Sequence, residues 1–386
     1  MKRMRKTISV WVLAALLILL PGCWDEVNLQ DVSYVSAIGI DYQDGQMILY
    51  GQMLNFASIA KSESPASIPA ETWLGRGKGK STLLALYDLM RGGYSSINLE
   101  HLKTVIIHER ATGKIDDVLD ALNRQRASRY TSLIFGTTSP IEDIFTTENF
   151  FNQSHLYSVM YAPKPHEDQY TFIEPLQMQL AVQTIKEPCE LTLLPVINSS
   201  QTYWKKGKKP ISTQLISGLF VFKDYKYLGY FAEKSVIGLR WLNEDFHKVY
   251  LEANADGHTG TVSIKDAKYG VDIDTAGEEP RFRLNVSLTG SLIELDGEMT
   301  AGQIESSIEE TVRGQIQSLY EIGIKKGVDF LELEHRLYRY HNRFWHSHIK
   351  DKDWVPDPKF LAEIDVKFQL SDSGKYDLQA AHNLPD

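Results

Sequence analysis

An apolar run that ends at a cysteine near the N-terminus determines the compartment in which the rest of this chain must fold. Four basic residues stand before position 7, and residues 8–20 are apolar apart from Ser9. This run is shorter than the roughly 20 residues that cross a bilayer, which is typical of an export signal. Because small Gly22 stands directly before Cys23, as in a bacterial lipobox, we expect cleavage between these two residues and a diacylglyceryl anchor on the Cys23 thiol. The alternative is an uncleaved N-terminal helix with a cysteine there by chance.

Charge and cysteine content exclude several classes of protein. The chain of 386 residues carries 41 basic and 50 acidic residues, and loss of the four basic residues of the signal leaves 37 against 50, a net charge of −13. Nucleic acid is therefore not an expected partner, because phosphate binding needs a basic face. Lipidation of Cys23 leaves Cys189, the other cysteine of the sequence, without an intramolecular partner. The fold must then stand without disulfides, and we interpret Cys189 as a buried thiol.

The length of the mature chain predicts more than one domain. Removal of 22 residues from 386 leaves 364, more than a single core usually serves. The patterns favour an α+β, or mixed α/β, fold class with three domains, each a mixed or antiparallel β-sheet packed with helices. The expected divisions are a lipoprotein signal peptide 1–22, an N-terminal α/β domain 23–198, a small middle domain 199–245 and a C-terminal α+β domain 246–386.

A strand, a helix and a second strand follow one another in the N-terminal domain. Residues 102–108 and 130–135 have apolar strand patterns, and residues 113–124 between them repeat apolar side chains at helical spacing. This order predicts a parallel crossover inside a mixed sheet. Ser139 and Pro140 then predict the capped start of a further helix.

The C-terminal domain has the most regular patterns. Residues 282–288 and 362–370 alternate apolar and polar side chains, which predicts two half-buried strands of an antiparallel sheet. Between them, Thr300 and Gln303 form a capping-box pattern for a helix that ends near Lys326, with its apolar residues on one face. We therefore expect one long helix packed on a sheet.

Four large apolar residues are adjacent in the middle domain, at positions 219–222. Successive side chains of a strand point to opposite faces, so both faces of this strand must be covered. The fewer than fifty residues between Pro195 and Asn243 are too few to bury two faces alone. We expect the second face to dock on a neighbouring domain or on a partner subunit.

A glycine-rich segment at residues 75–82 ends in Gly-Lys-Ser-Thr, as a phosphate-binding loop does. Such a loop needs a glycine where this sequence has Leu74, and a buried strand before the loop where this sequence is rich in serine and proline. A flexible loop followed by a helix cap is therefore the prediction.

Two further clusters have alternative interpretations. Four lysines at positions 205–209 lie on a predicted hairpin tip, which is either a solvated turn or a contact with anionic lipid headgroups. Four histidines between His335 and His348 are spaced six, five and two residues apart among aromatic residues. This spacing favours an aromatic helix end over a metal site.

Several short motifs occur in a fixed order over nearly the whole mature chain. They are Cys23-Trp24-Asp25, Gly39-Ile40-Asp41, Leu99 to Lys103 with the strand Val105 to Glu109 and the helix to Arg124, Gly218 to Lys223 with Leu228-Gly229, and Asp329-Phe330 ahead of Trp345. In these motifs the sequence resembles the Ger(x)C family, the lipoprotein C subunits of germinant receptors in spore-forming bacteria. The resemblance implies three α/β-type domains, an anchor on the outer face of the spore inner membrane, and assembly with two integral-membrane subunits, A and B.

The leading hypothesis is a lipid-anchored, non-enzymatic subunit of a membrane-bound nutrient germinant receptor that is needed for spore germination. Under this hypothesis Cys23 is the lipidation site, and no catalytic residue, metal or cofactor is expected. The alternative is a membrane-tethered solute-binding lipoprotein that captures a small ligand itself, and a third hypothesis is a tethered hydrolase. A hydrolase should show a nucleophile elbow or paired catalytic groups, and the sequence has neither. A solute-binding protein should have two similar lobes, whereas the N- and C-terminal patterns differ.

Overall fold

The computed structural model describes residues 32–54, 72–94, 96–124, 131–165, 171–350 and 354–373. Gly22 and Cys23 lie outside the described residues, so cleavage and lipidation there stay predictions. Within the described ranges, no helix combines the length and the apolar character that a membrane span requires.

Strands and helices alternate irregularly along the described chain. The strands are β1 Val32–Gln43, β2 Gln46–Leu54, β3 Thr72–Gly79, β4 Ser96–Asn98, β5 Thr104–His108, β6 Leu133–Thr137, β7 Leu176–Gln177, β8 Thr192–Ser200, β9 Lys205–Lys206, β10 Lys209–Pro210, β11 Thr213–Lys223, β12 Lys226–Ala232, β13 Val249–Ala255, β14 His258–Asp274, β15 Arg281–Asp296 and β16 Leu361–Asp372. The α-helices are α1 Thr82–Arg91, α2 Ile115–Asn123, α3 Ile141–Phe145, α4 Met178–Lys186, α5 Ala301–Lys326, α6 Leu333–Tyr340 and α7 Asn342–His348. The 3₁₀ segments are Glu109–Lys114, Phe150–Asn152, His155–Tyr157 and Glu233–Leu242.

A mixed sheet of ten strands organises the N-terminal half. Its order is β12-β11-β8-β6-β5-β1-β2-β3, with β4 paired to β1 and β7 paired to β6. The pairs β1–β5, β5–β6 and β6–β8 are parallel. Helix α2 connects parallel β5 and β6, with Val118 and Leu122 buried against the sheet. The predicted parallel crossover is therefore confirmed.

The two long strands of the expected middle domain join this N-terminal sheet. Strand β11 pairs with β8 on one side and with β12 on the other. Phe220 and Phe222 belong to the core on one face, with helices α1, α2 and α4. Leu219 and Val221 belong to the core on the other face, which continues into the C-terminal half. The prediction that both faces of this strand are covered is confirmed, and neighbouring parts of the same chain cover them. The exact borders of the three domains stay a prediction.

A four-stranded sheet, β13-β14-β15-β16, carries the long helix of the C-terminal half. Thr300 and Gln303 form the predicted capping box of α5, and the side chains of its inner face, such as Ile308 and Ile316, are fully buried. The prediction of an entirely antiparallel sheet is wrong, because β16 runs parallel to β15. Helix α5 lies between these two strands in sequence and returns the chain to the starting end of β15, which makes a parallel crossover.

The predicted side-chain cap at Ser139 is also wrong. Helix α3 begins at Ile141 after Pro140, and it has no side-chain cap. The backbone N–H of Ser139 instead donates to Asn198 Oδ1, 3.1 Å away, and its hydroxyl accepts a hydrogen bond from the backbone N–H of Ser199. These bonds fix the loop after β6 to the end of β8, so the hydroxyl is not available to the helix.

Candidate functional site

A buried carboxylate, Glu334, lies at the junction of the two halves of the molecule. The Nζ atom of Lys223 donates to Glu334 Oε2 at 2.6 Å, and Trp345 Nε1 donates to Glu334 Oε1 at 3.4 Å. The backbone N–H of Glu334 donates to Asp329 Oδ2 at 2.8 Å. Lys223 belongs to one motif of the family resemblance, and Asp329 and Trp345 belong to another. The fold gathers all three around Glu334.

Tight turns bring these residues together. Gly327 ends helix α5 in the left-handed conformation, with φ of 67°, which glycine adopts without a steric penalty. Glu332 takes the same conformation, with φ of 53°, directly before helix α6 begins. The chain therefore turns twice between Gly327 and Leu333, and this places Asp329 where it accepts the backbone N–H of Glu334. Lys223 enters from the other half, at the end of β11.

Burial and charge set the pKa values at this junction. Burial alone would lower the pKa of Lys223, but the hydrogen bond and charge of Glu334 outweigh it and raise the pKa. Burial raises the pKa of Asp329 to about 6. Burial, then the charges of Glu190 and Asp329, raise the pKa of Glu332 to about 7. Lys223 is thus held as a cation. Burial favours the neutral form of the Asp329 and Glu332 carboxyl groups at the same junction.

Cys189 lies at the edge of the same cluster. Its backbone has φ of 65°. The sequence predicts a buried thiol, and the structure shows a half-buried one. Burial, followed by the charge and hydrogen bond of Glu334, raises the pKa of the Cys189 thiol to about 12. Such a thiol stays protonated near neutral pH and is a poor nucleophile.

One group of potential metal ligands lies next to this junction. Ligand atoms of Glu187, Glu190 and His335 all lie within 4.8 Å of one another. Arg339 Nη2 already forms an ion pair with Glu187 Oε1 at 3.1 Å, and this cation balances the carboxylate without a metal. Of the four histidines that the sequence groups together, only His335 belongs to this set. The aromatic packing predicted for this region is present in the contact of Tyr338 and Trp345, whose ring centroids are 5.2 Å apart.

A second ion pair, between buried Asp41 and half-exposed Arg110, lies at the carboxyl ends of strands β1 and β5. Arg110 Nε and Nη2 donate to the two oxygens of Asp41 at 2.9 and 2.6 Å. His108 Nδ1 accepts the backbone N–H of Arg110 at 3.1 Å. Burial would raise the pKa of Asp41, but the Arg110 hydrogen bond and the nearby His108 lower it overall. Both oxygens of Asp41 are engaged by Arg110, so this ion pair stabilises the sheet end and Asp41 is not a free base.

The glycine-rich segment is the edge strand β3, so the prediction of a flexible loop is wrong. Ser81 does cap helix α1, as predicted, by accepting the N–H of Leu84 at 3.3 Å. The glycines allow α1 to pack directly on β3: a Cβ atom added at Gly77 would lie 2.2 Å from the carbonyl oxygen of Ala85. Close packing of a helix on a strand, rather than a phosphate site, explains these glycines.

A cavity of about 420 Å³ opens between the two halves, beside the Glu334 junction. Apolar side chains form most of its wall, including Leu180, Leu239 and Phe330. Its polar lining includes Glu332 and Arg336, and Arg336 Nη2 donates to Tyr269 Oη at 3.0 Å. The sequence gives no signal for this cavity, because its wall combines segments that are far apart along the chain.

The fold and the junction define a two-part α+β protein whose halves share one core and a buried ionic cluster. Two family models match it: "Spore germination protein N-terminal domain" over residues 25–199, and "Spore germination B3/ GerAC like, C-terminal" over residues 217–374. The chain belongs to the Ger(x)C family of spore germination proteins.

Similar proteins cover nearly the whole chain. Spore germination protein KC of Bacillus subtilis (strain 168) is 23% identical over 94% of this chain and 94% of its own length. Spore germination protein B3 of the same organism is 23% identical over 95% of this chain and 97% of its own length. The crystal structure of the GerBC protein has the same fold, with a TM-score of 0.55 at 17% identity, over 86% of this chain and 96% of that one.

Proposed function

We propose that this chain is a lipid-anchored, non-enzymatic subunit of a membrane-bound nutrient germinant receptor. In this proposal the diacylglyceryl group on Cys23 holds the chain on the outer face of the spore inner membrane, where it assembles with integral-membrane A and B subunits. The observation that carries the proposal is the family match of both halves, which begins at residue 25, two residues after Cys23.

Two ion-paired carboxylates support a non-enzymatic role. Asp41 is held by Arg110 and Glu334 is held by Lys223, in ion pairs of 2.6 Å. A general acid or base must be free to exchange a proton with a substrate, and these carboxylates are committed to their partners. The raised pKa of the Cys189 thiol, about 12, also argues against nucleophilic catalysis.

The continuous core supports a role as one structural unit. Residues of the large sheet, such as Val221, and of the C-terminal half, such as Ile308, belong to the same hydrophobic core. Trp241, fully buried, donates to Gln315 of helix α5 at 2.8 Å. A receptor subunit built in this way presents fixed surfaces of both halves to its partners.

Co-purification tests the proposed assembly. The tagged chain would be isolated from detergent-solubilised spore membranes, with Cys23→Ala as the variant and Cys189→Ala as a matched control. We expect two integral-membrane proteins to be recovered with the wild type and with Cys189→Ala, and their loss with Cys23→Ala. Recovery of the wild-type chain alone, in a detergent that keeps other membrane complexes intact, would contradict the proposal.

The cavity between the halves favours a second candidate, a solute-binding lipoprotein. Its volume of about 420 Å³ and its apolar wall suit a small molecule. Native mass spectrometry of the purified chain would detect a bound small molecule, and Leu180→Trp at the cavity wall should remove it. Leu83→Trp is the control, because Leu83 and Leu180 are both partly exposed helical leucines, at 39% and 47%. Absence of any adduct in the wild type favours the leading proposal.

A further inference from the structure

Large aromatic side chains are exposed beside the lysine-rich hairpin of strands β9 and β10. Tyr203 and Trp204 are 66% and 56% exposed, and Phe151 is 94% exposed with φ of 56°. The ring of Phe150 packs on Trp204 with centroids 5.0 Å apart, and on Phe151 with centroids 6.3 Å apart. We call these four residues, together with Lys205, Lys206, Lys208 and Lys209, the aromatic–lysine patch.

The lysines of the patch stand out on a strongly acidic protein. All four are exposed, within five consecutive residues of a mature chain whose net charge is −13, from 37 bases and 50 acids. Among the described residues, a carboxylate comes within 4 Å of only one of them: Glu148 lies 3.8 Å from Lys206, and both side chains are more than 70% exposed. Such an exposed pair is weak. The patch is therefore a cationic surface.

The combination of residues favours a lipid surface over a protein. Tryptophan and tyrosine are enriched at the headgroup level of membranes, and clustered lysines bind anionic headgroups. Protein interfaces are enriched in aromatic residues and arginine but are depleted in lysine. The patch has four lysines and no arginine. A bilayer with anionic lipid is the occupant that matches both its apolar and its charged parts.

The polarity of the large sheet places the patch far from Val32, the first described residue after the anchor. Strands β1, β5, β6 and β8 run in the same direction, so the hairpin that follows Ser200 lies at the opposite end of the sheet from Val32. The 12 residues of β1 span about 40 Å. The nine Cα–Cα steps from Cys23 to Val32 reach at most about 32 Å. Simultaneous contact at both ends thus requires the sheet to tilt toward the bilayer surface, because a sheet standing upright on the patch would hold Val32 beyond the reach of this linker.

We propose that the aromatic–lysine patch is a second membrane contact, which binds anionic phospholipid headgroups and tilts the N-terminal sheet toward the bilayer surface. This inference rests on the proposed Cys23 anchor. The anchor keeps the patch near the membrane at high effective concentration, so a contact too weak to bind alone becomes occupied.

Fluorescence quenching by brominated lipids tests the contact. The lipidated full-length chain would be reconstituted into nanodiscs of phosphatidylcholine, with or without about a third of phosphatidylglycerol, that carry bromine on their acyl chains. Trp204→Phe removes the reporter in the patch. Trp73→Phe is the matched control, because Trp73 is 61% exposed on the edge strand β3. We expect Trp204→Phe, but not Trp73→Phe, to lose most of the quenching that phosphatidylglycerol adds.

Two further samples separate the possible outcomes. Replacement of the four lysines by glutamine should reduce the quenching of Trp204 to its level in pure phosphatidylcholine. Equal quenching of the wild type and Trp204→Phe would overturn the membrane contact. Shielding of Trp204 from solvent only after receptor subunits are added would also overturn it, because it would indicate a protein contact. Retention on the nanodisc reports the anchor separately. A retained chain with unquenched Trp204 overturns the patch alone, whereas a chain lost from the nanodisc overturns the anchor and the inference with it.

Discussion

The Nζ atom of Lys223 lies 2.6 Å from a carboxylate oxygen of Glu334, a residue 111 positions further along the chain. Lys223 ends a strand of the large sheet, and Glu334 lies in the first turn of helix α6 of the C-terminal half. Their side chains are only 26% and 7% exposed. This one ion pair therefore joins the two halves where water has little access.

Loss of Lys223 should destabilise the protein strongly. Lys223→Met leaves the Glu334 charge buried without a cation to balance it, which typically costs about 3–5 kcal/mol. A second substitution, Glu334→Leu, removes that charge and should restore much of the free energy of unfolding. Urea unfolding followed by tryptophan fluorescence measures both. Lys367→Met, in an exposed pair with Asp365, is the control and should change stability by less than about 1 kcal/mol. A double variant less stable than Lys223→Met would contradict this account of the pair.

Stability should fall as pH rises through the titration of Glu332. The pKa of Glu332 rises from 4.5 to about 7 on folding. Between these pH values the folded chain holds a proton that the unfolded chain releases, so the free energy of unfolding falls as pH rises. The whole of this loss is present above pH 7. Glu332→Gln should therefore be more stable than the wild type at pH 8, by up to about 3 kcal/mol, and the difference should shrink toward pH 4.

Thermal unfolding between pH 4 and pH 8 measures this effect. Glu278→Gln, at an exposed turn, is the control and should follow the wild type. A gain from Glu332→Gln that is the same at every pH would show that a cause other than ionisation is responsible.

The glycine-rich segment should tolerate no side chain at Gly77. Gly77→Ala places a Cβ atom 2.2 Å from the Ala85 carbonyl oxygen, and because a backbone atom blocks it, helix α1 must shift. Overpacking of this kind costs about 1–3 kcal/mol. Gly314→Ala is the matched control: its Cβ would meet nothing within 4 Å on helix α5, so stability should rise by roughly 1 kcal/mol. Equal melting temperatures for Gly77→Ala and the wild type would contradict the packing role.

Phe222 should be essential for accumulation of the protein. Its side chain is 1% exposed in the core on the helix-covered face of the large sheet, and removal of a buried aromatic costs about 3–5 kcal/mol. Phe222→Ala should lower the level of the protein in spores and the germination response with it. Immunoblotting of spore membranes measures the level. A Phe222→Ala protein that accumulates normally and melts like the wild type would show that this core contact is dispensable.

Local periodicity predicts much of this fold from the sequence. The inner face of α5 and the alternation of β15 need only the period of one element, and each is buried as predicted. The direction of β16 could not be predicted in this way, because a parallel and an antiparallel strand show the same alternation of apolar and polar residues. Glycines at positions 75–79 are ambiguous for a similar reason. A phosphate loop and a closely packed strand both require the absence of Cβ, and only the position of α1 distinguishes them.

The candidate site is harder to predict because it is long-range. Lys223 is visible in the sequence only as part of one motif, and Asp329 and Trp345 only as parts of another. Glu334 carries no local signal of burial. Its burial depends on a cation 111 residues away. The cavity between the halves likewise exists only after both sheets have docked.

The most direct test of the central claim is the lipid on Cys23. Spore membranes would be prepared from cells labelled with radioactive palmitate, for the wild type, Cys23→Ala and Cys189→Ala. We predict label and membrane sedimentation for the wild type and for Cys189→Ala, and a Cys23→Ala protein that is unlabelled, soluble and melts like the wild type. Equal palmitate incorporation into Cys23→Ala and the wild type would contradict the account.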